Sequence, residues 1–359
     1  MQLRPEQLPG HLQKAGAGGG LKPIYTFHGD EALLVQEGLD TLRQVAREAG
    51  YTERQVHTVS GAYFDWSGLL GAGNAMSLFG DRQLIEIRIP SGKPGKDGSQ
   101  ALQAYCEQHA GDDSVLTIVT LPRLDKTQTS SAWFTALDGM GVTVRCDPIE
   151  RNALPLWIAQ RLSAQGQQVE PGEAGQRALG FFADKVEGNL LAAHQEIVKL
   201  GLLYPAGTLS IDQIEQAVVD VSRFNVFKLS EAVLSGQVQR TLRMLDGLQS
   251  EGEAPVLVHW ALAEDILALH RCRQAMEGGK PLPMVLRENR VWGVRERLFE
   301  RVLPRMKAAQ LIRLVVSAST VDGIVKGLGH PLWPTDAWEA LRKLALQLTQ
   351  LAAGEKQAA

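Results

Sequence analysis

An alternation of short apolar strands with helix-length amphipathic segments, confined to residues 1–147, is the strongest constraint on how this chain folds. "IYTFHG" (24–29) predicts a strand, and Leu34, Leu39, Leu42, Val45 and Ala49 recur at helical spacing across 31–48. "QVHTVS" (55–60) is a second strand, and a short helix follows from about Asp65. The strand at 84–89, a helix at 99–109, "VLTIVT" (115–120), a helix at 129–138 and "VTVRC" (142–146) complete the series. Five apolar strands joined by helices require a parallel sheet covered on both faces.

After Arg151 the strand signal disappears. Residues 153–165, 172–186 and 189–203 predict three amphipathic helices, a turn falls at "YPAGT" (204–208), and a helix spans 210–219. Beyond Ser222 further helices are expected near 225–235, 238–249, 255–277, 294–303, 307–325 and 335–351. The expected organisation is an α/β domain (1–147), a small three-helix lid (148–221) and an all-α domain (222–359).

Composition narrows the class. A 44% hydrophobic and 21% charged chain of 359 residues fills real cores. Cys106, Cys146 and Cys272 are widely separated, so neither a disulfide framework nor a cysteine zinc site is expected. No apolar run approaches the ~20 residues of a membrane span, and the polar start does not resemble a signal peptide. A cytoplasmic protein with no membrane partner is the expectation. The net charge of −3 excludes a wholly basic nucleic-acid binder. Between Arg271 and Arg313, however, eleven Lys and Arg face four Glu, an excess that either meets phosphates or forms a solvated helical face.

A parallel α/β domain invites a phosphate loop, G-x-x-x-x-G-K-[ST], between its first strand and helix. Here that junction reads "FHGDEALL". A carboxylate at a helix start satisfies the free amides and repels phosphate, and Asp30 is the expected N-cap. "SGKPGKDGS" (91–99) carries two Gly-Lys pairs, yet neither precedes Ser or Thr, and Pro90 stands where the leading glycine belongs. It is expected to be a flexible, solvated loop. The strand at 116–120 runs into "LPRLDK" and lacks the acidic pair that would hold Mg²⁺. The sequence has no HExxH, no G-x-S-x-G elbow and no Cys/His nucleophile pattern.

"AMSLFGDRQ" (75–83) poses a different problem: Met76, Leu78 and Phe79 stand together and the chain turns at once at Gly80-Asp81. These side chains either fold back under the sheet or are presented to a partner. This stretch, with "AWFTAL" (132–137), "LPLWIAQRL" (154–162), "EGNLLAAHQEIVKL" (187–200), "IEQAV" (214–218), "EAPVLVHWAL" (253–262) and "NRVWGVRERL" (289–298), resembles the delta subunits of bacterial DNA polymerase III over nearly the whole chain. These are AAA+-related clamp-loader subunits that do not bind ATP.

The resemblance implies no catalytic site or cofactor of the chain's own, within a holoenzyme that is a nucleotidyltransferase. It implies binding to the sliding clamp, with Leu78 and Phe79 as a plug in an apolar pocket and Met76 serving either the clamp or the core. It implies assembly with gamma/tau and delta prime subunits through the C-terminal collar, around primer-template DNA. ATP-binding relatives carry a phosphate-sensing arginine where Leu191 stands here, and "RCDP" (145–148) lacks the Ser-Arg-Cys setting of an arginine finger. In the basic stretch, Arg290 and Trp292 are candidate DNA contacts, with Trp292 as a core anchor the alternative. Two competing readings are a nucleotide-using NTPase with an atypical loop at 91–99 and a helical adaptor with an inert N-terminal domain.

Overall fold

The computed structural model describes residues 1–15, 20–61, 64–72, 82–218 and 224–354. The chain begins with β1 (Gln2–Leu3) and α1 (Leu8–Lys14). Alternation follows through β2 (Ile24–His28), α2 (Ala32–Glu48), β3 (Tyr51–Thr58), α3 (Trp66–Ala72), β4 (Arg82–Arg88), α4 (Gly95–Gln108), β5 (Val115–Leu121), the turn α5 (Lys126–Thr129), α6 (Ala132–Met140) and β6 (Val142–Arg145). The sheet order is β1-β6-β2-β5-β4-β3, and every pairing is parallel. All five residues of β2 are buried, as a central strand covered on both faces requires. In α2, Leu34, Leu39, Leu42 and Ala46 form the inward stripe.

Two expectations need correction here. Among the described residues the sheet has six strands, because Gln2 and Leu3 pair with Thr143 and Val144 at its edge. A two-residue strand shows no period, and Pro9-Gly10 hides α1, whose Leu8 and Leu12 are nevertheless buried. Strand structure also continues past Arg151. Following α7 (Leu154–Ala164), β7 (Gln167–Val169) pairs in parallel with β8 (Gly207–Leu209), part of the expected turn, across α8 (Glu173–Val186) and α9 (Leu190–Leu203). Three-residue strands fall below what periodicity resolves. α10 (Ile211–Ala217) closes this stretch.

The remainder is helical: α11 (Val226–Leu234), α12 (Val238–Ser250), α13 (Pro255–Glu277), α14 (Leu282–Glu288), α15 (Val294–Val302), α16 (Ala308–Val325) and α17 (Ala337–Ala353). α14 was not anticipated, because Pro281 and Pro283 break its pattern. They stand at its N-cap and first turn, where a missing N–H costs little. Leu262, Ile266, Phe299, Leu314, Leu341 and Leu348 lie at the centre of this core. Among the described residues α16 is the one helix long and apolar enough to cross a membrane. Its Leu311, Leu314, Ala318, Val321 and Ile324 are buried in the helical core, as in a globular helix.

By internal packing the chain forms two compact units, residues 1–180 with 190–217, and residues 181–189 with 218–359. In the second, Arg243 pairs with Asp184 at 2.7 Å and Arg240 with Glu187 at 2.5 Å, binding the last turn of α8 to α12.

Candidate functional site

In an open parallel sheet the ligand crevice lies at the carboxyl end of the strand where the connections change direction. That strand is β2, between β5 and β6. The crevice is filled by the chain itself. The Cys146 amide donates to the His28 carbonyl at 2.8 Å, and the Glu31 amide donates to the Cys146 carbonyl at 3.1 Å. Gly29 has φ +145°, and a Cβ there would stand 2.0 Å from the Cys146 oxygen. The helix cap is Glu31, whose carboxylate accepts from the Leu33 amide at 3.4 Å. Asp30, the expected cap, instead accepts from the Arg123 amide at 3.2 Å. The reason is that α2 begins one residue later than its apolar period implies, which turns Asp30 toward the segment after β5. Burial raises the Glu31 carboxyl above its ordinary range and, with Arg145 nearby, lowers the His28 imidazole.

The glycine-lysine stretch is also corrected. Gly95–Ser99 forms the first turn of α4, and Gly98 is buried against the Trp66 ring, where a Cβ would meet ring carbon at 2.4 Å. The preceding turn is held by Gln128 Nε2 donating to the Gly92 carbonyl at 3.1 Å. Arg145 pairs with Asp147 at 2.5 Å, and Leu191, second residue of α9, is half-exposed.

Met76, Leu78 and Phe79 lie outside the described residues. Both flanks of that segment are anchored. Leu69 of α3 is buried, and Phe64 and Trp66 meet edge to face at 4.8 Å. On the other side, Arg82 donates to the Ala49 carbonyl at 3.1 Å and lies 5.4 Å over the Tyr51 ring.

Arg290 and Trp292 fall in the link between α14 and α15. The Arg290 amide donates to the Arg287 carbonyl at 3.1 Å and the Val291 amide to the Leu286 carbonyl at 3.0 Å, the pair of bonds of a Schellman motif. Arg290 occupies the left-handed position usually given to glycine, with φ 56°, alone among the described non-glycine residues. Val291 and Leu286 are both buried in the helical core, so the core position belongs to Val291, while Arg290 is exposed and Trp292 is 57% exposed. Below the link, Arg295 of α15 donates to the buried Asp265 of α13 at 2.7 Å.

Residues 25–147 match the family described as DNA polymerase III, delta subunit, and residues 226–352 match a C-terminal domain described as that of the processivity clamp loader gamma complex. The chain is 32% identical to Escherichia coli DNA polymerase III subunit delta over 335 residues, covering 93% of each chain. It belongs to the DNA polymerase III delta subunit family. A second family member, from Haemophilus influenzae, is 26% identical over 90% of this chain and 94% of its own length. The Bacillus subtilis DNA clamp loader delta protein shares the fold, with a TM-score of 0.50 at 17% identity over 95% of this chain and 99% of that one. The parallel α/β sheet followed by helical segments is thus the fold shared with that protein.

Two charged centres escaped the sequence reading of this family member. Glu86, on β4, is buried between Arg43 and Arg54, each at 2.8 Å, with Arg88 at 3.3 Å. Burial pushes its carboxyl up, but the guanidiniums of Arg54 and Arg43 reverse this and hold it at about 2. Asp265 is the other; burial raises its carboxyl against the opposing pull of Arg295. Glu86 is a single acid between Ile85 and Ile87, and Asp265 follows Glu264 inside the apolar stretch Leu262–Ile266. That pattern is the available signal, since a lone buried acid requires a partner.

Proposed function

We propose that this chain is the clamp-binding subunit of a bacterial clamp loader, gripping one protomer of the sliding clamp and favouring the opened ring. The end-to-end match to Escherichia coli DNA polymerase III subunit delta carries the reading. Leu78 and Phe79 insert into an apolar pocket on the clamp, with Met76 beside them, between the anchored flanks of α3 and β4. A compact aliphatic–aromatic pair suits such a hot spot. A ligand shifts a two-state ring only by its differential affinity for the two states, so the bound surface fits the open form better than the closed one.

The chain supplies no catalytic group and takes no nucleotide. Glu31 and the Cys146 carbonyl occupy the place of a phosphate, and a carboxylate at a helix N-terminus opposes an anion there. The energy of ATP enters through gamma/tau partners, which with delta prime join this subunit through residues 222–359, the lid (148–221) lying between the two in sequence. Arg290 and Trp292 meet primer-template DNA by phosphate contact and base stacking. The assembly works in the cytoplasm as part of the polymerase holoenzyme.

The experiment is Leu78→Ala/Phe79→Ala in the full-length chain, titrated against the sliding clamp by calorimetry. At ~2 kcal/mol for each side chain, affinity falls about a thousandfold while the thermal melt is unchanged. Undiminished clamp affinity refutes the assignment.

A further inference from the structure

The link that displays Arg290 and Trp292 has little direction of its own. Arg290 stands in the left-handed region with φ 56°, and Gly293, the N-cap of α15, has φ 66°. Trp292 lies between these two reversals, and glycine is the residue least able to hold its own backbone angles. Gly293 also has no side chain to cap α15, so the start of that helix is not fixed from within. The direction of Trp292 is therefore set by whatever holds the ends of the link, and α13 holds both. Before Arg290, the Arg271 guanidinium of α13 donates to the Asn289 side-chain oxygen at 3.2 Å, and the Asn289 side chain donates in turn to the Val285 carbonyl at 2.9 Å. After Trp292, Arg295 donates to Asp265 of α13 at 2.7 Å. Asp265 is 2% exposed and also accepts from the Ser230 side chain of α11, while the Arg295 guanidinium lies 5.3 Å over the buried Phe299 ring.

Two features set the Asp265–Arg295 pair apart from ordinary packing. Arg295 is the second residue of α15, and a cation in the first turn of a helix opposes the macrodipole, so it does not stabilise α15 by itself. A buried ion pair is also a poor source of stability, since apolar side chains of similar volume often do as well or better. A charged hydrogen bond supplies direction instead, because it admits a narrow range of angles. Here the direction supplied is that of the α15 start, immediately after Trp292. We propose that Asp265 is a positioning residue for DNA binding: through Arg295 it orients the link so that the Trp292 indole meets an unpaired base and Arg290 a phosphate. The inference rests on the reading of Arg290 and Trp292 as DNA contacts and adds the buried group that aims them. Asp265 itself touches no DNA and acts through the link.

The test is a double-mutant cycle on full-length chains, assembled with the purified partner subunits and titrated with primer-template DNA by fluorescence anisotropy at fixed salt. Asp265→Asn keeps Arg295 and removes one negative charge, so charge alone would tighten DNA binding. Positioning predicts the opposite sign, a ~5-fold or greater loss of affinity, with assembly and clamp binding unchanged. It also predicts that Asp265→Asn has no further effect in an Arg290→Ala/Trp292→Ala background, where the groups it aims are gone. Equal losses in the two backgrounds overturn the proposal, and so does an unchanged or tightened affinity in the single variant. Should Asp265→Asn impair folding, Asp265→Leu/Arg295→Met replaces it, removing the pair at constant net charge with the core still filled, and the same two results are expected. Failure of the DNA reading shows separately, as an Arg290→Ala/Trp292→Ala variant that binds DNA as tightly as the wild type, and it overturns this proposal with it.

Discussion

The crevice at the end of β2 and the link between α14 and α15 handle polar and aromatic groups in opposite ways. At the crevice every group that would meet a phosphate is turned inward: the Glu31 amide to Cys146, the Glu31 carboxylate to the helix start, Asp30 to Arg123. In the link the backbone is just as firmly bonded, yet Arg290 and Trp292 are held out to solvent over a buried Val291. Order serves closure in one region and display in the other. On the proposed function, the displayed link is a surface offered to partners and the closed α/β crevice serves as scaffold.

The sharpest way to break this contrast is Gly29→Ala. The added methyl meets the Cys146 carbonyl at 2.0 Å on a backbone of φ +145°, so the closed crevice must open. A loss of about 3 kcal/mol or more is expected in denaturant unfolding. A neutral result would show that the crevice is loose. Arg290→Gly probes the displayed region. Glycine relieves the left-handed conformation, and stability rises by about 0.5–1 kcal/mol after the entropy of the unfolded chain is counted. If Arg290 contacts DNA as proposed, DNA affinity nonetheless falls because the guanidinium is lost; gel-shift titration at fixed salt measures it, and an unchanged affinity removes that role.

The smallest effect is that of Glu31→Gln. Burial raises the folded pKa of Glu31 above its ordinary 4.5, so the stability linked to its protonation is full below that pH and is lost as pH rises through the folded value. At neutral pH the wild-type chain bears the cost of a half-buried carboxylate and the glutamine variant does not. The variant is therefore more stable by roughly a few tenths of a kcal/mol after screening, and the gap closes as pH falls below 4.5. Melting temperatures across pH 4–8 would show a gap that widens upward; a gap that widens downward contradicts the assignment.

These two regions also mark how far the sequence is legible. The strands around β2 and the 23 residues of α13 follow from apolar period alone, because fully buried strands and long amphipathic helices impose strong patterns. Gly29 and the carboxylates after it announce an unusual phosphate junction. Which carboxylate caps α2 does not follow, because the choice between Asp30 and Glu31 turns on a backbone kink against Cys146, more than a hundred residues away. The same limit hid β1, whose two residues are strand only because β6 lies beside them. In the link, the family resemblance drew attention to Arg290 and Trp292. That Val291, not Trp292, takes the core position depends on the Schellman closure, and an arginine in the left-handed site gives no warning of it.

The central claim is that this subunit holds the sliding clamp through Leu78 and Phe79 with no nucleotide of its own. The most direct test titrates the sliding clamp into the purified full-length chain, once in buffer and once with saturating ATP and Mg²⁺. The account predicts one tight affinity, identical in the two titrations, and no heat from ATP–Mg²⁺ alone. Clamp binding that appears only with nucleotide, or saturable ATP binding to the isolated chain, would contradict it.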